Sequence, residues 1–277
     1  MKPYYQDDAV TIYHGDLRDG IPGPRGSVAC MVTSPPYNVG IEYDEHDDVM
    51  PWDDYRDLAR ATCEESARLM HCGARAWVNV VPIVPAVPIV PAVPIPAGDH
   101  SGRGTNPRIS LVMLWSNAIE AAGLGIWDYV AWTRNGGNDT AWGSWQSPAG
   151  PNLRGNWETV IAAYSGSWSR PTPDAHKGWQ DSVGNWQDLV SNVWKVRPAS
   201  RADGHPVPFA VEMPSRCIRL STWPGETVLD PFMGSGTTLL AARDLGRKAV
   251  GVELSERYCE IAATRLSQTS LDFGGAA

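Results

Sequence analysis

The chain has 277 residues, a formal net charge of -8, 43% hydrophobic and 19% charged residues. This length can bury a substantial core, and this composition excludes a disordered chain. The acidity argues against a simple nucleic-acid binder, which should be basic, but leaves room for an enzyme with a local basic groove. The five cysteines form no C-x-x-C pair, so neither a disulfide framework nor a zinc site is expected, and no metal site is assigned. No apolar stretch has the length of a membrane span, and the start, MKPYYQDDAV, lacks the apolar centre of a secretory signal, so a cytoplasmic location is expected.

In chain order, the apolar run Val10 to Tyr13 leads into His14-Gly15-Asp16. Ser27 to Val32 predicts a buried strand. It runs into Thr33-Ser34-Pro35-Pro36-Tyr37-Asn38. The two prolines fix φ, so the Ser34 hydroxyl and the backbone carbonyls point in set directions, and Tyr37 adds a flat face. Such a turn can grip a planar amino group: oxygens accept its hydrogens while the ring stacks on its face. A plain Pro-rich turn after a strand is the alternative. The acidic residues from Asp44 to Asp57 read as a solvated loop and helix start. Pro51 to Met70 predicts a helix and Ala74 to Val81 a strand.

Val80 to Pro96 holds the unit VPIVPA twice in tandem. Proline at every third position prevents helix and central strand and favours an extended polyproline conformation. An expanded surface loop is the preferred reading, a protein-binding ligand the alternative. Arg108 to Ala122 predicts a helix, and Ile126 to Thr133 and Trp157 to Tyr164 predict strands. Nine of the thirteen tryptophans lie between residues 127 and 200, in a stretch rich in Gly, Asn, Ser and Pro. Most are expected in the core and a minority against ligand.

Thr227 to Thr238 reads as strand, Gly-rich turn and helix, the helix running from Thr237 to Leu245 before Gly246. A further strand, Ala249 to Val252, ends at Glu253. Nucleoside-binding βαβ units follow this logic: glycines let a ligand approach the backbone, and a carboxylate about 20 residues on holds ribose hydroxyls. Gly234-x-Gly236 without a third glycine argues against a dinucleotide pyrophosphate site. The alternation of strands and helices predicts an α/β fold, a Rossmann-like, mostly parallel sheet with helices on both faces and an inserted region.

Taken together, these segments resemble the β class of amino-methylating DNA methyltransferases, in which the catalytic motif precedes the cofactor motif. Asp230-Pro231-Phe232-Met233-Gly234-Ser235-Gly236-Thr237-Thr238 is similar to the family's S-adenosylmethionine motif, and Thr33-Ser34-Pro35-Pro36-Tyr37 to its catalytic motif. The resemblance implies cofactor contacts from Asp16 (adenine), from His205, Pro208 and Phe209 (methionine pocket), from Asp230, Phe232, Gly234, Ser235, Gly236 and Thr237, and from Glu253 (ribose). It implies catalytic roles for Ser34, Pro35, Pro36 and Tyr37. It divides the chain into a catalytic half at 1–141, a target-recognition region at 142–202 and a cofactor half at 203–277. Arg154, Arg170, Lys177, Lys195, Arg197 and Arg201 are its candidates for phosphate contact.

The activity implied is methyl transfer from S-adenosylmethionine to an exocyclic amine of a base flipped out of double-stranded DNA. Ser at position 34 favours N4 of cytosine, with N6 of adenine as the alternative. C5-cytosine methylation is disfavoured, since no Pro-Cys pair is present to supply its nucleophile. Methylation of an RNA or protein amine and a catalytically silent DNA-binding protein are the readings from other classes. A homodimer is implied by family likeness. The sequence names neither a recognition site nor a restriction endonuclease partner.

Overall fold

A computed structural model describes residues 1–40, 49–85, 108–133, 156–196 and 210–272. The strands are β1 (Pro3–Gln6), β2 (Val10–His14), β3 (Val28–Thr33), β4 (Met70–Val80), β5 (Ile83–Pro85), β6 (Arg108–Ser110), β7 (Leu124–Thr133), β8 (Trp157–Ser165), β9 (Val193–Lys195), β10 (Thr227–Asp230) and β11 (Lys248–Glu253). The helices are α1 (Trp52–Leu69), α2 (Leu111–Ala121), α3 (Trp186–Leu189), α4 (Glu212–Ser221), α5 (Thr237–Asp244) and α6 (Glu256–Asp272). Nine strands form one sheet in the order β1-β2-β11-β10-β3-β4-β8-β7-β9. From β2 to β4 every neighbour is parallel; β1 and β8 join antiparallel, as does β7 on β8, and β9 closes the far edge parallel to β7.

Strand side chains alternate between the two faces with a period of two. Cys30, Val32, Trp77, Val160, Ala162 and Val228 face one way and pack with α4, α5 and α6. Met31, Ala76, Val78, Ile161, Ala163 and Leu229 face the other way and pack with α1 and α2. Central strands buried on both faces carry near-continuous apolar runs, and SVACMV is of this type. The expected mostly parallel sheet with helices on both faces is therefore present.

Two expectations are corrected in detail. Residues 108–110 are strand rather than helix, paired antiparallel with Ile83–Pro85. The helix starts at Leu111 because Ser110 caps it, its hydroxyl accepting from the Met113 N–H at 3.3 Å. The start of the Val-Pro repeat thus contributes a short strand outside the main sheet, with Pro85 at its end, where a missing donor costs least. The rest of the repeat, residues 86–96, lies outside the described residues, as do Asp44 to Asp48 of the acidic run. Of the segment 142–202, residues 157–165 and 193–195 are strands of the main sheet.

The tryptophan expectation is also corrected. Of the seven described between 127 and 194, Trp132 and Trp194 are buried, whereas Trp127, Trp157, Trp168, Trp179 and Trp186 are exposed. Arginines cover three of the exposed rings: Arg75 lies over Trp168 at 4.5 Å and Trp127 at 5.8 Å, and Arg247 over Trp179 at 5.5 Å. Such pairing lets an amphipathic ring sit at the surface.

One glycine sets how closely α5 lies on the sheet. A Cβ at Gly251 of β11 would stand 2.5 Å from Met233 Sδ and 2.8 Å from Leu239 Cδ2. Gly251→Ala should therefore overpack this layer and cost about 1–3 kcal/mol in urea unfolding. An unchanged unfolding midpoint would show that the layer yields freely.

Candidate active site

Parallel strands of an α/β sheet present their carboxyl ends along one edge, where loops can build a site. β3 and β10 are neighbours in parallel register, with Val228 opposite Cys30 and Leu229 opposite Met31. The Ser34-Pro35-Pro36-Tyr37 turn leaves β3, and the Gly-rich turn leaves β10. Their bases are bonded: Thr33 Oγ1 donates to Asp230 Oδ1 at 2.8 Å. The same oxygen accepts the Phe232 N–H at 3.1 Å, so one carboxylate ties both turns. Asp230 is 4% exposed. Burial pushes its pKa up to about 6 against the ordinary 3.8, while hydrogen bonds from Thr238, Thr33 and the Phe232 N–H oppose the rise.

The proline turn is braced from the α1 and α2 face. Tyr55 of α1 donates to the Pro36 carbonyl at 2.6 Å, and Trp115 Nε1 of α2 donates to the Tyr55 hydroxyl at 3.1 Å. Asn38 holds φ of 57°, a left-handed conformation that Asn tolerates better than most residues. Its side chain acts as a second backbone, Oδ1 accepting from Met50 N at 2.7 Å and Nδ2 donating to Met50 O at 3.0 Å. Tyr37 is half-buried beside the apolar cluster of that face. Its ring is thus part of the packing as well as of the site, a dual position that the expectation of a stacking platform alone did not contain.

Two site residues escaped the sequence reading, Asn79 of β4 and Glu158 of β8. Both are buried, and both touch the Tyr37 hydroxyl, Asn79 Nδ2 at 2.9 Å and Glu158 Oε2 at 3.0 Å. A signal was present. Asn79 lies two residues after Trp77 and Glu158 two before Val160, on the same sheet face. Polar residues at core-facing positions of apolar strands mark sites that must have partners.

At the Gly-rich turn, Gly234 and Gly236 have φ of 51° and 79°. Both are left-handed, where glycine carries no Cβ penalty. Glu253, at the end of β11, accepts the Gly234 N–H at Oε2 and the Ser255 N–H at Oε1, each at 2.9 Å. Burial raises its pKa, and those N–H groups oppose the rise. A carboxylate has about four lone-pair positions, so two such bonds leave acceptor capacity on both oxygens. This donor set fits a nucleoside with a ribose diol. Gly15 N–H donates to the Glu253 carbonyl at 2.9 Å, which brings the Asp16 turn beside it.

Other predicted residues have their side chains engaged within the protein. The Asp16 carboxylate takes the Arg18 N–H at 2.9 Å and the Arg18 guanidinium at 2.5 to 2.9 Å, which lowers its pKa. Ser235 accepts from Arg265 of α6 at its carbonyl, 2.8 Å, and at Oγ, 3.0 Å; Thr237 Oγ1 is 3.5 Å from the same nitrogen. Phe232 packs partly buried on the α1 and α2 side. His205, Pro208 and Phe209 lie outside the described residues, as do Arg154, Arg197 and Arg201. Arg170 is corrected as a phosphate candidate: it is paired with Glu226 at 2.6 Å and stacked over Trp223 at 4.0 Å. Among the described residues, no group of three His, Cys, Asp or Glu could hold a metal ion, and no helix is long and apolar enough to cross a membrane.

Asp230 makes stability depend on pH. A carboxyl whose pKa is raised by folding binds its proton more tightly in the folded state. Its contribution is full below the unfolded pKa near 4 and is lost as pH rises through about 6. The difference corresponds to about 3 kcal/mol. Asp230→Asn keeps an acceptor oxygen and loses the titration. Its stability relative to the wild type, from urea unfolding at pH 4 to 7, should rise with pH by that order; a flat difference would contradict the assignment.

Comparison with known proteins places this arrangement. A model for DNA methylases of the N6/N4 methyltransferase type matches residues 28–264. The chain is 28% identical over 283 aligned residues to the type II methyltransferase M.ScaI of Streptomyces caespitosus, covering 96% of this chain and 84% of that one. It is 27% identical to M.BamHI of Bacillus amyloliquefaciens, covering 98% of this chain and 60% of that one. Among solved structures, a Thermus thermophilus protein described as a putative DNA modification methylase, complexed with S-adenosyl-L-methionine, matches with a TM-score of 0.70 at 24% identity over 93% of both chains. The PvuII cytosine-N4-specific DNA methyltransferase matches with a TM-score of 0.66 at 19% identity, over 95% of this chain and 88% of that one. The two structural likenesses concern the fold.

Proposed function

The chain belongs to the N6/N4 DNA methylase family, and from that premise we propose that it methylates N4 of a cytosine flipped out of double-stranded DNA, in the cytoplasm. It is an S-adenosylmethionine-dependent DNA methyltransferase that acts on an exocyclic base amine. The observation that carries the reading is the joining of two turns at the ends of neighbouring strands, with Thr33 bonded to Asp230. One turn offers acceptors to an amine; the other offers a carboxylate and a glycine backbone to a nucleoside.

When bound, S-adenosylmethionine supplies a methyl group on a sulfonium, already a strong electrophile. We assign its binding to the Gly234–Gly236 turn and to Glu253, whose oxygens would accept the ribose hydroxyls. The target amine is a poor nucleophile because its lone pair is delocalised into the base ring. Ser34 Oγ and the Pro35 carbonyl are assigned as acceptors of its two hydrogens, which turns the lone pair out of the ring plane and fixes its direction. Bracing of the Pro36 carbonyl by Tyr55 holds the turn that carries them. The Tyr37 ring is assigned to the face of the extruded base. Within 142–202, target recognition is assigned to the parts that are not strands of the sheet.

Ser34 is the residue that favours cytosine N4, and N6 of adenine is the competing outcome. Mass analysis of nucleosides from DNA of cells that express the chain should find N4-methylcytosine, and Ser34→Ala should abolish it; N6-methyladenine alone would overturn the choice of base. Glu253→Gln should weaken S-adenosylmethionine binding by about 1.5–3 kcal/mol in calorimetry, the range for a hydrogen bond to a charged group. Unchanged affinity would remove Glu253 from the cofactor site.

A further inference from the structure

Asn79 and Glu158 have no task in the reading above, yet they are 1% and 3% exposed. Burying an amide and a carboxylate is costly unless their hydrogen bonds are made. Asn79 Nδ2 donates to Glu158 Oε2 at 2.7 Å and to the Tyr37 hydroxyl oxygen at 2.9 Å. An amide nitrogen carries two hydrogens, so both bonds can form at once. The Tyr37 hydroxyl donates to Glu158 Oε2 at 3.0 Å.

A phenol has a single hydrogen. With that hydrogen directed to Glu158, Tyr37 can meet Ser34 Oγ, 3.2 Å away, only as an acceptor. The hydrogen in that contact therefore belongs to Ser34. The direction runs from the Ser34 hydroxyl to the Tyr37 hydroxyl to the Glu158 carboxylate. The separation of 3.5 Å between Asn79 Nδ2 and Ser34 Oγ is too long to set this direction.

We propose that Glu158, supported by Asn79, is a positioning residue that orients the Ser34 hydroxyl through Tyr37, so that Ser34 Oγ presents only lone pairs to the target amine. A serine hydroxyl that rotates freely can offer its hydrogen as readily as a lone pair. An offered hydrogen would engage the amine lone pair, the electrons needed for attack on the methyl carbon. Committing the Ser34 hydrogen to Tyr37 removes that unproductive state. A carboxylate is suited to the end of this chain, because it accepts only and cannot reverse the direction.

The inference rests on the reading of Ser34 as an amine acceptor, and the test separates the two. Glu158→Gln, Tyr37→Phe and Ser34→Ala are made singly, and each of the first two is combined with Ser34→Ala. A glutamine amide accepts more weakly and can donate, and phenylalanine keeps the ring while breaking the link. Single-turnover methylation, KM for DNA, calorimetric S-adenosylmethionine affinity and melting temperature are measured on each. Glu158→Gln and Tyr37→Phe should each slow methyl transfer tenfold or more, with KM and cofactor affinity within about twofold of wild type. Either substitution added to Ser34→Ala should slow transfer less than threefold beyond Ser34→Ala alone. Multiplicative loss in the double variants, or a folded Glu158→Gln or Tyr37→Phe with a rate within threefold of wild type, would overturn the inference and leave the Ser34 reading intact. A fully active Ser34→Ala would overturn both. If Glu158→Gln does not fold, Tyr37→Phe decides, because the link to Ser34 passes through the Tyr37 hydroxyl.

Discussion

The hydrogen bond from Thr33 to Asp230 is the constraint on which the site depends. β3 and β10 are in ladder register through Cys30 and Met31, and their loops then diverge. The bond carries the connection to the last residue of each strand, 197 positions apart in the chain. Asp230 also holds the Phe232 N–H, so the direction in which the Gly-rich turn leaves is set by the same oxygen. Methyl transfer needs an attacking nitrogen and an electrophilic carbon held in line, and small errors of placement are costly. A fully buried tie between the two turns meets that demand better than a contact between mobile loops could. Its cost is a carboxyl with an elevated pKa, held by three donors in place of water.

At the site end of the sheet, polar residues enter the core as one row. On the face that packs with α4, α5 and α6, Val32, Trp77 and Val160 belong to one apolar cluster. One step further towards the site, each strand places a polar residue: Ser34 beyond β3, Asn79 in β4 and Glu158 in β8. Period-two alternation makes this possible, since each polar residue is two positions from its apolar neighbour. The antiparallel entry of β8 explains why its polar residue precedes the core residue rather than follows it. The three strands are adjacent, so their polar groups meet: Asn79 Nδ2 donates to Tyr37 and Glu158, while Asn79 Oδ1 has no hydrogen-bond partner among the described residues. The helices beneath pack largely on apolar surface, with Trp77 Nε1 donating to Ser221 Oγ of α4 at 2.7 Å.

The α/β class, the buried strand before Ser34 and the strand, turn and helix around Gly234 were legible because they are local. Hydrophobic runs, prolines and glycines act over a few residues, and the helix at Thr237 and the strand ending at Glu253 lie where those signals put them. Partners were not legible. Nothing near Thr33 names Asp230, and nothing near Tyr37 names Glu158, which stands 121 residues away. Ser235 and Thr237 have the residue types of a ligand-binding turn, yet their hydroxyls face Arg265 of α6, which only the packing of that helix reveals. The capping of α2 by Ser110 was readable in principle, but the apolar run after it blurred the start of the helix.

The same distinction applies to charge. Counting basic residues suggested several contacts for a nucleic-acid backbone, but many of the described arginines are committed inside the protein. Arg170 is held by Glu226, Arg216 by Asp188 and Glu212, and Arg219 by Asp181. Arg75 and Arg247 donate to backbone carbonyls and lie over tryptophan rings. These arginines fasten the segment after β8 to β4, α4 and the start of β11, and a guanidinium so engaged has little left for a phosphate. Lys195 differs. It is exposed at the end of β9, paired in register with Thr133, which itself pairs with Trp157. That end of the sheet also carries Glu158 and the turn after β3, so this lysine stands on the edge of the sheet that bears the site. Charge on an acidic protein acts where it is left free and near the site.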